Sequence, residues 1–466
     1  MPEFGSEAGA GLQEPLNRRG LAGIGFGGEL LLPGEPGYDG ARRVHNGMID
    51  KRPALIARCS DTADVAAAVG LAREHGLEVS IRGGGHNVAG TAVTEGGVMV
   101  DLSAMRRVEV DPVARTARCD GGTTWGEFDA ATQRHGLAVT GGMISSTGVA
   151  GLTLGGGLGW LMGRHGLSAD NLLAATVVTA DGGVLRASAD ENGDLFWALR
   201  GGGGNFGAVS SFEFSLHEVG PTVIGGPALH RFENARELLR RYRELTSGAP
   251  DELTLNAALV HAPDGSGERL AGVVGCHAGS LEAGRRAFAP LAGFGRPVEI
   301  QVGPVPYAEL NSILDPQYPR GALNYWKSSF LNDLSDDAIE TMVELFSTCP
   351  SASSSFVIEN LHGAVTRVAP DATAVPHRTE GYNFLITSVW SDPAASEANI
   401  AWTRDVFESM LPFAAPRRYV NYLADDEGAV DRVREAYGAN YERLLALKRV
   451  YDPDNLFRVN QNIRSS

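Results

Sequence analysis

Three consecutive glycines followed by a histidine place a potential nucleophile beside a potential anion site. Residues 81–87 read Ile-Arg-Gly-Gly-Gly-His-Asn, and they follow the alternating apolar residues of segment 77–81, which predict a β-strand. Glycines have no side chain and adopt positive φ angles readily, so their N–H groups can converge around a pyrophosphate. His86 would then be a ring nucleophile beside the bound group. The alternative interpretation is a surface glycine turn followed by an ordinary histidine.

A second glycine-dense segment covers residues 141–159 and follows the strand-like residues 137–140. Helix or strand packing would not call for so much glycine, because each buried glycine gives up side-chain contacts and costs backbone entropy. A large ligand that lies against the backbone explains it. The two segments together therefore indicate a site for a large ligand.

A third glycine cluster, residues 201–207, contains a formal G-x-G-x-x-G match at residues 202–207. A Rossmann fingerprint follows a strand and opens a helix. This cluster instead follows the short helix predicted over residues 195–200 and opens the strand predicted over residues 208–214. The order of the elements argues against a nicotinamide dinucleotide site.

The first two glycine segments resemble the FAD domain of the vanillyl-alcohol-oxidase superfamily, and specifically its berberine-bridge-enzyme-like branch. The ending over residues 451–463, Tyr-Asp-Pro-Asp-Asn-Leu-Phe-Arg-Val-Asn-Gln-Asn-Ile, closely resembles the C-terminal signature of that family. The resemblance extends from about Tyr38 to Ile463. It therefore covers nearly the whole chain, at both ends and in order.

The resemblance implies an α+β fold in two domains. A two-part FAD-binding domain of the PCMH type would comprise residues 1–219 and 424–466. A substrate-binding domain with an antiparallel sheet backed by helices would comprise residues 220–423. The face of that sheet toward the flavin would carry the substrate specificity, and no motif in it identifies a substrate.

The resemblance also implies the residues that bind FAD. In the family the Arg-Gly-Gly-Gly-His-Asn loop cradles the pyrophosphate, and its histidine, here His86, is bonded covalently to the C8 methyl of the flavin. The backbone of a valine after the third cluster contacts the adenine, and the matching residue of this chain is Val209. The full implied set is Arg82, Gly83, Gly84, Gly85, His86, Asn87, Gly90, Gly142, Ser146, Thr147, Gly148, Gly151, Gly155, Gly156, Gly159, Asn205, Gly207, Val209, Tyr451, Asn460 and Asn462.

Two positions in the second glycine segment bear on flavin attachment and on oxygen. In many family members a second covalent bond comes from a cysteine four residues before a Gly-Val-x-Gly element, which in this chain is residues 148–151. The matching residue is Ile144, which cannot form a thioether, so we expect a single covalent bond, at His86. At the position of Thr147, valine goes with oxidases and leucine with dehydrogenases. Threonine is isosteric with valine, so we expect reactivity with O2.

Oxidation of an alcohol requires a base for the hydroxyl proton. A predicted strand that contains Tyr419 and Tyr422 resembles the family motif with a substrate-facing tyrosine; the two would point to opposite sides, and we choose Tyr422. A tyrosine, with a pKa of about 10, needs a cation or a carboxylate partner to act near neutrality. Lys327 and Glu359 are the candidates for that partner, although such residues are more often rim or core residues. Tyr441, in a predicted C-terminal helix, is the alternative tyrosine.

The function implied by the resemblance is that of a FAD-dependent oxidase with one covalent bond to histidine. An alcohol-type substrate, either a sugar or a secondary metabolite, would transfer a hydride to flavin N5, and O2 would be reduced to H2O2. The alternatives are a flavin dehydrogenase, a flavin-dependent oxygenase of natural-product biosynthesis and, in a different class, a flavin-binding protein without turnover. The expected partners are a small-molecule substrate and O2; the sequence leaves the oligomeric state open.

Composition argues against several other classes. A chain of 466 residues with net charge −16 has room for two to three domains and does not suit nucleic acid or anionic membranes as partners. Apolar runs are too short to span a bilayer, and the segment after Arg18 and Arg19 is too short and glycine-broken for a convincing export signal, so we expect a cytoplasmic protein. The eleven histidines and four cysteines lack metal-ligand spacing, so we expect no metal and free buried thiols.

Local patterns predict the other elements. Residues 1 to about 40 should run over the surface, with order beginning near Tyr38. Asp61 is the expected N-cap of a helix that continues through Glu74 and ends at Gly76. The other predicted strands are residues 53–58, 97–101, 107–110, 116–119, 173–179, 253–260, 270–275 and 355–359. The other predicted helices are residues 124–135, 234–245, 280–289, 335–347, 395–410 and 431–451.

Overall fold

The computed structural model describes residues 25–424, 426 and 430–464. The amino-terminal stretch that contains Arg18 and Arg19 lies outside these residues. The prediction that order begins near Tyr38 is wrong, because residues 29–31 already form a strand that pairs with residues 56–58. Among the described residues, no helix is both long and apolar enough to cross a membrane.

Strands and helices alternate irregularly along the chain. The strands, in chain order, are β1 (Glu29–Leu31), β2 (Leu55–Arg58), β3 (Val79–Arg82), β4 (Val98–Asp101), β5 (Val108–Asp111), β6 (Thr116–Asp120), β7 (Leu137–Ala138), β8 (Leu172–Val178), β9 (Val184–Ser188), β10 (Ala208–Ser215), β11 (His217–Glu218), β12 (Thr222–Arg231), β13 (Leu253–His261), β14 (Arg269–His277), β15 (Pro297–Ile300), β16 (Gly303–Pro306), β17 (Leu323–Leu331), β18 (Ser355–Leu361) and β19 (Gly381–Trp390). The α-helices are α1 (Tyr38–Ala41), α2 (Thr62–Glu74), α3 (Trp125–Thr132), α4 (Val149–Leu154), α5 (Met162–His165), α6 (Gly193–Leu199), α7 (Ala235–Thr246), α8 (Leu281–Ala292), α9 (Tyr307–Leu310), α10 (Asp336–Phe346), α11 (Ala364–Arg367), α12 (Ser396–Met410), α13 (Val430–Tyr437) and α14 (Tyr441–Tyr451).

The first sheet delivers the glycine-histidine loop. Its strand order is β1-β2-β4-β3, with β2 and β3 parallel to β4. Helix α2 connects β2 to β3; the side chain of Asp61 caps its start by accepting from the N–H of Asp64, and Gly76 follows its end with a φ of +63°. Because β3 ends at Arg82, the three glycines begin where strand pairing stops.

The second sheet is antiparallel, with the order β5-β6-β10-β8-β9. Strands β8 and β9 form an antiparallel hairpin through the turn at residues 181–183. Trp125 and Phe128 of α3 pack with Phe214 of β10 in the core, with ring centroids 5.5 to 6.2 Å apart. This core supports the second glycine segment from behind.

The third sheet is larger and antiparallel, with the order β15-β12-β14-β13-β18-β19-β17 and β16 beside β12. Helices α7, α8, α10 and α12 contribute to the apolar core on one of its faces. All of its strands lie within residues 222–390. The predicted α+β class, with an antiparallel sheet backed by helices, is confirmed.

Two predictions near the C-terminus are wrong. The helix predicted over residues 431–451 is broken into α13 and α14 by a 3₁₀ turn at Gly438–Asn440, where Gly438 has a positive φ and the Asn440 amide donates to the carbonyl of Pro370. The strand predicted around Tyr422 is a 3₁₀ turn, Val420–Tyr422. The other predicted elements are present, with ends displaced by a few residues.

Candidate active site

A cavity of about 790 Å³ extends from the glycine segments to one face of the third sheet. Its walls include Gly84 of the loop after β3, Gly148 of the second glycine segment and Glu359 of β18. Its volume lies toward the upper end of the range usual for ligand sites, roughly 300 to 1,000 Å³. Residues far apart in the chain thus surround one large space.

The loop after β3 presents unpaired backbone donors to the cavity. In the described part of the chain, no acceptor receives the N–H groups of Gly83, Gly84, Gly85 or His86. A Cβ at Gly84 would lie 2.3 Å from the backbone nitrogen of Gly148, so the two glycine segments touch through their backbones. Free N–H groups on consecutive residues of a cavity wall are the kind of donor set that can hold an anion.

Arg82, which the sequence assigns to cofactor binding, lies behind this loop. Its guanidinium donates to the carbonyl of Ala41 and lies 3.7 Å from the buried carboxylate of Asp101. The side chain does not reach the cavity wall. Arg82 therefore acts on the site only through the position of the loop.

His86 is held as a neutral ring on the cavity wall. It stacks on His45, with ring centroids 3.9 Å apart, and its Nε2 lies 2.8 Å from Oγ of Ser146. Burial, together with the neighbouring His45 and Arg320, lowers the pKa of His86 to about 3. At neutral pH the imidazole is uncharged, and it keeps the lone pair that a nucleophile needs.

The adjoining wall carries open glycines and unpartnered polar atoms. A Cβ at Gly151 or Gly204 would meet no atom within 4 Å, so a side chain there would occupy open space. Asn460 donates through Nδ2 to the carbonyl of Gly204, and its Oδ1 is buried without a partner in the described structure. The hydroxyl of Tyr437 has no partner there either. Bare backbone beside unsatisfied polar atoms fits FAD, which would cover the first and pair with the second.

Most of the sequence-predicted cofactor residues line the cavity: Gly83, Gly84, Gly85, His86, Asn87, Gly142, Thr147, Gly148, Gly151, Asn205, Gly207, Val209 and Asn460. Eight lie outside its wall: Arg82, Gly90, Ser146, Gly155, Gly156, Gly159, Tyr451 and Asn462. Packing explains several of these glycines. A Cβ at Gly155 would lie 1.9 Å from Oδ1 of Asn421, and one at Gly159 would lie 1.9 Å from the carbonyl oxygen of Gly141. The ligand alone therefore does not account for the glycine density of the second segment.

Glu359 and Tyr422 form a hydrogen-bonded pair on the opposite wall. The Tyr422 hydroxyl donates to Oε1 of Glu359 at 3.2 Å, and the amide of Asn383 donates to Oε2 at 2.6 Å. Burial raises the pKa of Glu359 to about 7, against the lowering effect of these two donors. Burial and the nearby Glu359 raise the pKa of Tyr422 well above 10. At neutral pH the tyrosine thus keeps its proton, while the carboxyl group lies near its midpoint.

The other two catalytic candidates lie elsewhere. Side chains alternate along β17, so Trp326 faces the cavity and its neighbour Lys327 lies on the other face of the strand. There the ammonium group of Lys327 pairs with Asp426 at 3.2 Å. The hydroxyl of Tyr441 donates to the carbonyl of Arg464 at 2.6 Å inside the core. The structure brings neither residue to the cavity wall.

The expected opposition of Tyr419 and Tyr422 is also wrong. On the 3₁₀ turn their rings contact edge to face, with centroids 4.9 Å apart. Tyr419 accepts from the N–H of Gly157 at 2.9 Å, whereas Tyr422 lines the cavity. The residue chosen from the sequence faces the site, but for a different geometric reason.

Several residues on or behind this wall were not identified from the sequence. Asn256 on β13, which lines the cavity, and Asn383 on β19, which lies behind the wall, are the cross-strand neighbours of Glu359. Tyr318 and Trp326 add aromatic rings to the wall, with centroids 5.7 Å apart. Strand register joins the two asparagines to Glu359, and a single sequence contains no signal for register between distant strands.

Ile144 and Thr147 both line the cavity. The four cysteines are free and buried, as predicted, and none of them is on the cavity wall. The described residues contain no group of histidine, cysteine, aspartate or glutamate side chains that could hold a metal ion. A thiol for a second flavin bond is therefore absent from the wall.

Comparison with known proteins agrees with this geometry. The model of the FAD binding domain matches residues 53–188, and the model described as berberine and berberine like matches residues 418–464. These two regions contain the glycine loop and the 3₁₀ turn of Tyr422, respectively.

Individual relatives match over nearly the whole length. (R)-6-hydroxynicotine oxidase of Paenarthrobacter nicotinovorans is 33% identical over 450 residues, which cover 94% of this chain and 96% of the relative. Glucooligosaccharide oxidase of Sarocladium strictum is 29% identical, covering 90% of this chain and 89% of the relative. The crystal structure of 6-hydroxy-D-nicotine oxidase from Arthrobacter nicotinovorans aligns with a TM-score of 0.85 at 31% identity, covering 94% of this chain and 98% of that one. From its glycine loop to its C-terminal segment, the chain belongs to the berberine-bridge-enzyme-like family of FAD-dependent oxidoreductases.

Proposed function

We propose that this FAD-dependent oxidoreductase is an oxidase of an alcohol-type small molecule, with its flavin bound covalently to His86 alone. The observation that supports the proposal is the placement of two groups around one cavity. The loop with His86 forms one wall, and the hydrogen-bonded pair of Tyr422 and Glu359 forms another. A flavin attached at the first wall leaves the second for the substrate.

The residues that would hold FAD are the free N–H groups of residues 83–86, the open backbone at Gly151 and Gly204, and Asn460. FAD bound there would supply the acceptor for a substrate hydride and the two electrons that convert O2 to H2O2. The protein binds and orients both reactants and moves the proton.

Proton transfer runs from the substrate through Tyr422 to Glu359. The tyrosine oxygen takes the hydroxyl proton of the substrate as its own proton passes to Oε1 of Glu359. The electron pair left on the substrate oxygen forms the carbonyl as the hydride leaves the carbon. A free phenolate is not needed, because the carboxylate, with its pKa of about 7, is the final acceptor. Asn383 holds that carboxylate through its second oxygen.

A single attachment is consistent with the residues around the flavin position. The neutral ring of His86 is fixed by Ser146 and His45, which suits attack on the C8 methyl. Ile144 supplies no thiol. Thr147, with the volume of valine, leaves room for O2.

The relatives point to two substrate classes. The names of two of them refer to a hydroxynicotine and to glucooligosaccharides, so the proposed substrate is an alkaloid-type metabolite or a sugar. We assign residues 1–219 and 424–466 to cofactor binding and residues 220–423 to substrate binding, since the third sheet falls within the second region. The cytoplasmic location stays a prediction.

Anaerobic mixing of the holoprotein with a panel of alcohols, followed by admission of air, tests the oxidase. Flavin absorbance should bleach with a substrate and return rapidly in air, with stoichiometric H2O2. Slow return in air with fast return on an artificial acceptor would indicate the dehydrogenase. Oxygen from labelled O2 in the product would indicate the oxygenase, and absence of bleaching with every alcohol would contradict the proposal.

A further inference from the structure

We infer that the substrate is an alcohol with an extended hydrocarbon body, which lies along the inner face of the third sheet with its reacting group at Glu359. This inference rests on the proposed function and narrows its substrate class. It selects an apolar metabolite over a sugar.

The face of the third sheet that borders the cavity carries aliphatic side chains that are only partly buried. Alternation along the strands turns residues such as Ala257, Leu259 and Phe356 into the helix-backed core, where they are fully buried. Their neighbours point to the cavity and stay half-exposed: Leu229, Ala258, Val260, Val274 and Val357. Half-exposed aliphatic side chains from adjacent strands form an apolar groove that gains stability when a hydrocarbon covers it.

Strand register gives the groove its direction and length. Leu229 is paired with Gly272, Gly272 with Ala258, and Ala258 with Val357. Three strand spacings of about 4.8 Å make this row roughly 14 Å long. The side chain of Leu229 approaches Gly272, where a Cβ would lie 2.7 Å from Cδ2 of Leu229. Ala258 has only a methyl group, so the recess in the row lies at Ala258, between Leu229 and Val357. Glu359 lies two residues beyond Val357 on the same face of β18, so the recess is continuous with the proton acceptor.

Unpartnered polar groups are found at the Glu359 end of the groove. Asn256, paired across the strands with Glu359, is 1% exposed, lines the cavity and has an Oδ1 without a partner in the described structure. Away from that end, Ser355 bonds to Thr387 at 2.6 Å.

At the opposite edge of the groove, beside β12, the side-chain amide of Gln301 donates to the carboxylate of Glu299. The polar groups at this edge, like Ser355, therefore already have partners. Hydroxyls of a sugar laid along the groove would face aliphatic side chains and lose hydrogen bonds to water, which is costly. A substrate with one polar end and a hydrocarbon body can form hydrogen bonds at Asn256 and Glu359 and cover the aliphatic side chains along the rest of the groove.

Binding of 4-alkylphenols to the oxidised holoprotein tests the inference without turnover by the proposed step, because the ring carbon that carries their hydroxyl has no hydrogen to leave as hydride. The series from 4-methylphenol to 4-hexylphenol is titrated while flavin absorbance and the thermal midpoint are recorded. The dissociation constant should fall about fourfold per added methylene, the factor expected for burying one CH2 group. Cellobiose at the same concentrations should give no saturable change. A dissociation constant that ignores chain length, or tighter binding of cellobiose than of 4-methylphenol, would overturn the inference.

Two variants locate the hydrocarbon. Ala258→Leu fills the recess and should remove most of the chain-length dependence, with 4-methylphenol as the internal reference. Val298→Leu is the matched control, because Val298 is 50% exposed on β15 and does not line the cavity; it should keep the wild-type dependence. An unchanged dependence in a folded Ala258→Leu protein would contradict the assignment.

The two proposals fail separately. Length-dependent binding of the phenols with no flavin reduction by any alcohol would support the groove and contradict the oxidase. Flavin reduction by cellobiose followed by rapid return of the absorbance in air, with no binding of the phenols, would support the oxidase and overturn the groove.

Discussion

Replacement of Glu359 by glutamine removes the final proton acceptor of the proposed mechanism with little change in shape. One carboxylate oxygen accepts from Tyr422 and the other from Asn383. Glutamine keeps an acceptor for Tyr422. The amide of Asn383, whose Oδ1 has no partner in the described residues, can turn to accept from the new NH2 group. The fold should therefore tolerate Glu359→Gln, whereas the proton leaving Tyr422 loses its acceptor.

The expected loss is large and depends on pH. A positioned general base contributes roughly a hundred- to ten-thousand-fold to the rate, so anaerobic flavin reduction should slow by about that factor at pH 8. The active form is the carboxylate, and burial raises its pKa to about 7. Activity is thus present above this pKa and lost as pH falls through it, by about tenfold per unit. The glutamine variant has no such group and should give a flat profile.

Stopped-flow reduction under anaerobic conditions, from about pH 5 to about pH 9, measures both effects. Asp129→Asn is the matched control, because burial also raises the pKa of Asp129 to about 7, yet its carboxylate bonds to Asn311 and is not on the cavity wall. This variant should keep the wild-type midpoint. A wild-type rate and midpoint in Glu359→Gln, or loss of the midpoint in Asp129→Asn, would refute the assignment.

Three further changes probe the tyrosine, the attachment and the oxygen reaction. Tyr422→Phe breaks the proton path and should slow anaerobic flavin reduction at least about tenfold, while Tyr441→Phe, whose hydroxyl bonds only within the core, should not; the reverse order would move the role to Tyr441. In His86→Ala, flavin should stay in the supernatant after acid precipitation, whereas the wild-type pellet retains it; flavin in the variant pellet would contradict attachment at His86. Thr147→Leu should slow reoxidation in air and leave anaerobic reduction unchanged, and equal reoxidation rates would contradict the role given to Thr147 in the reaction with O2.

The sequence by itself determined the parts of the site that are local in the chain. The loop of residues 83–86 follows a strand, and its glycines leave free N–H groups wherever that strand ends, so the anion site and the position of His86 can be predicted from the order of residues. The N-cap at Asp61 is local in the same way, since one side chain bonds an amide three residues away. Ile144 excludes a thioether by its chemistry alone.

Tertiary structure decided which distant side chains meet. The 3₁₀ turn places Tyr422 against Glu359, 63 positions away in the sequence. Register between β18 and its neighbours adds Asn256 and Asn383. The alternation that turns Trp326 inward carries Lys327 away from the cavity. Local patterns restrict the backbone over a few residues, whereas register and domain packing depend on free energy summed over the whole fold. Only that sum brings Glu359 to the cavity wall.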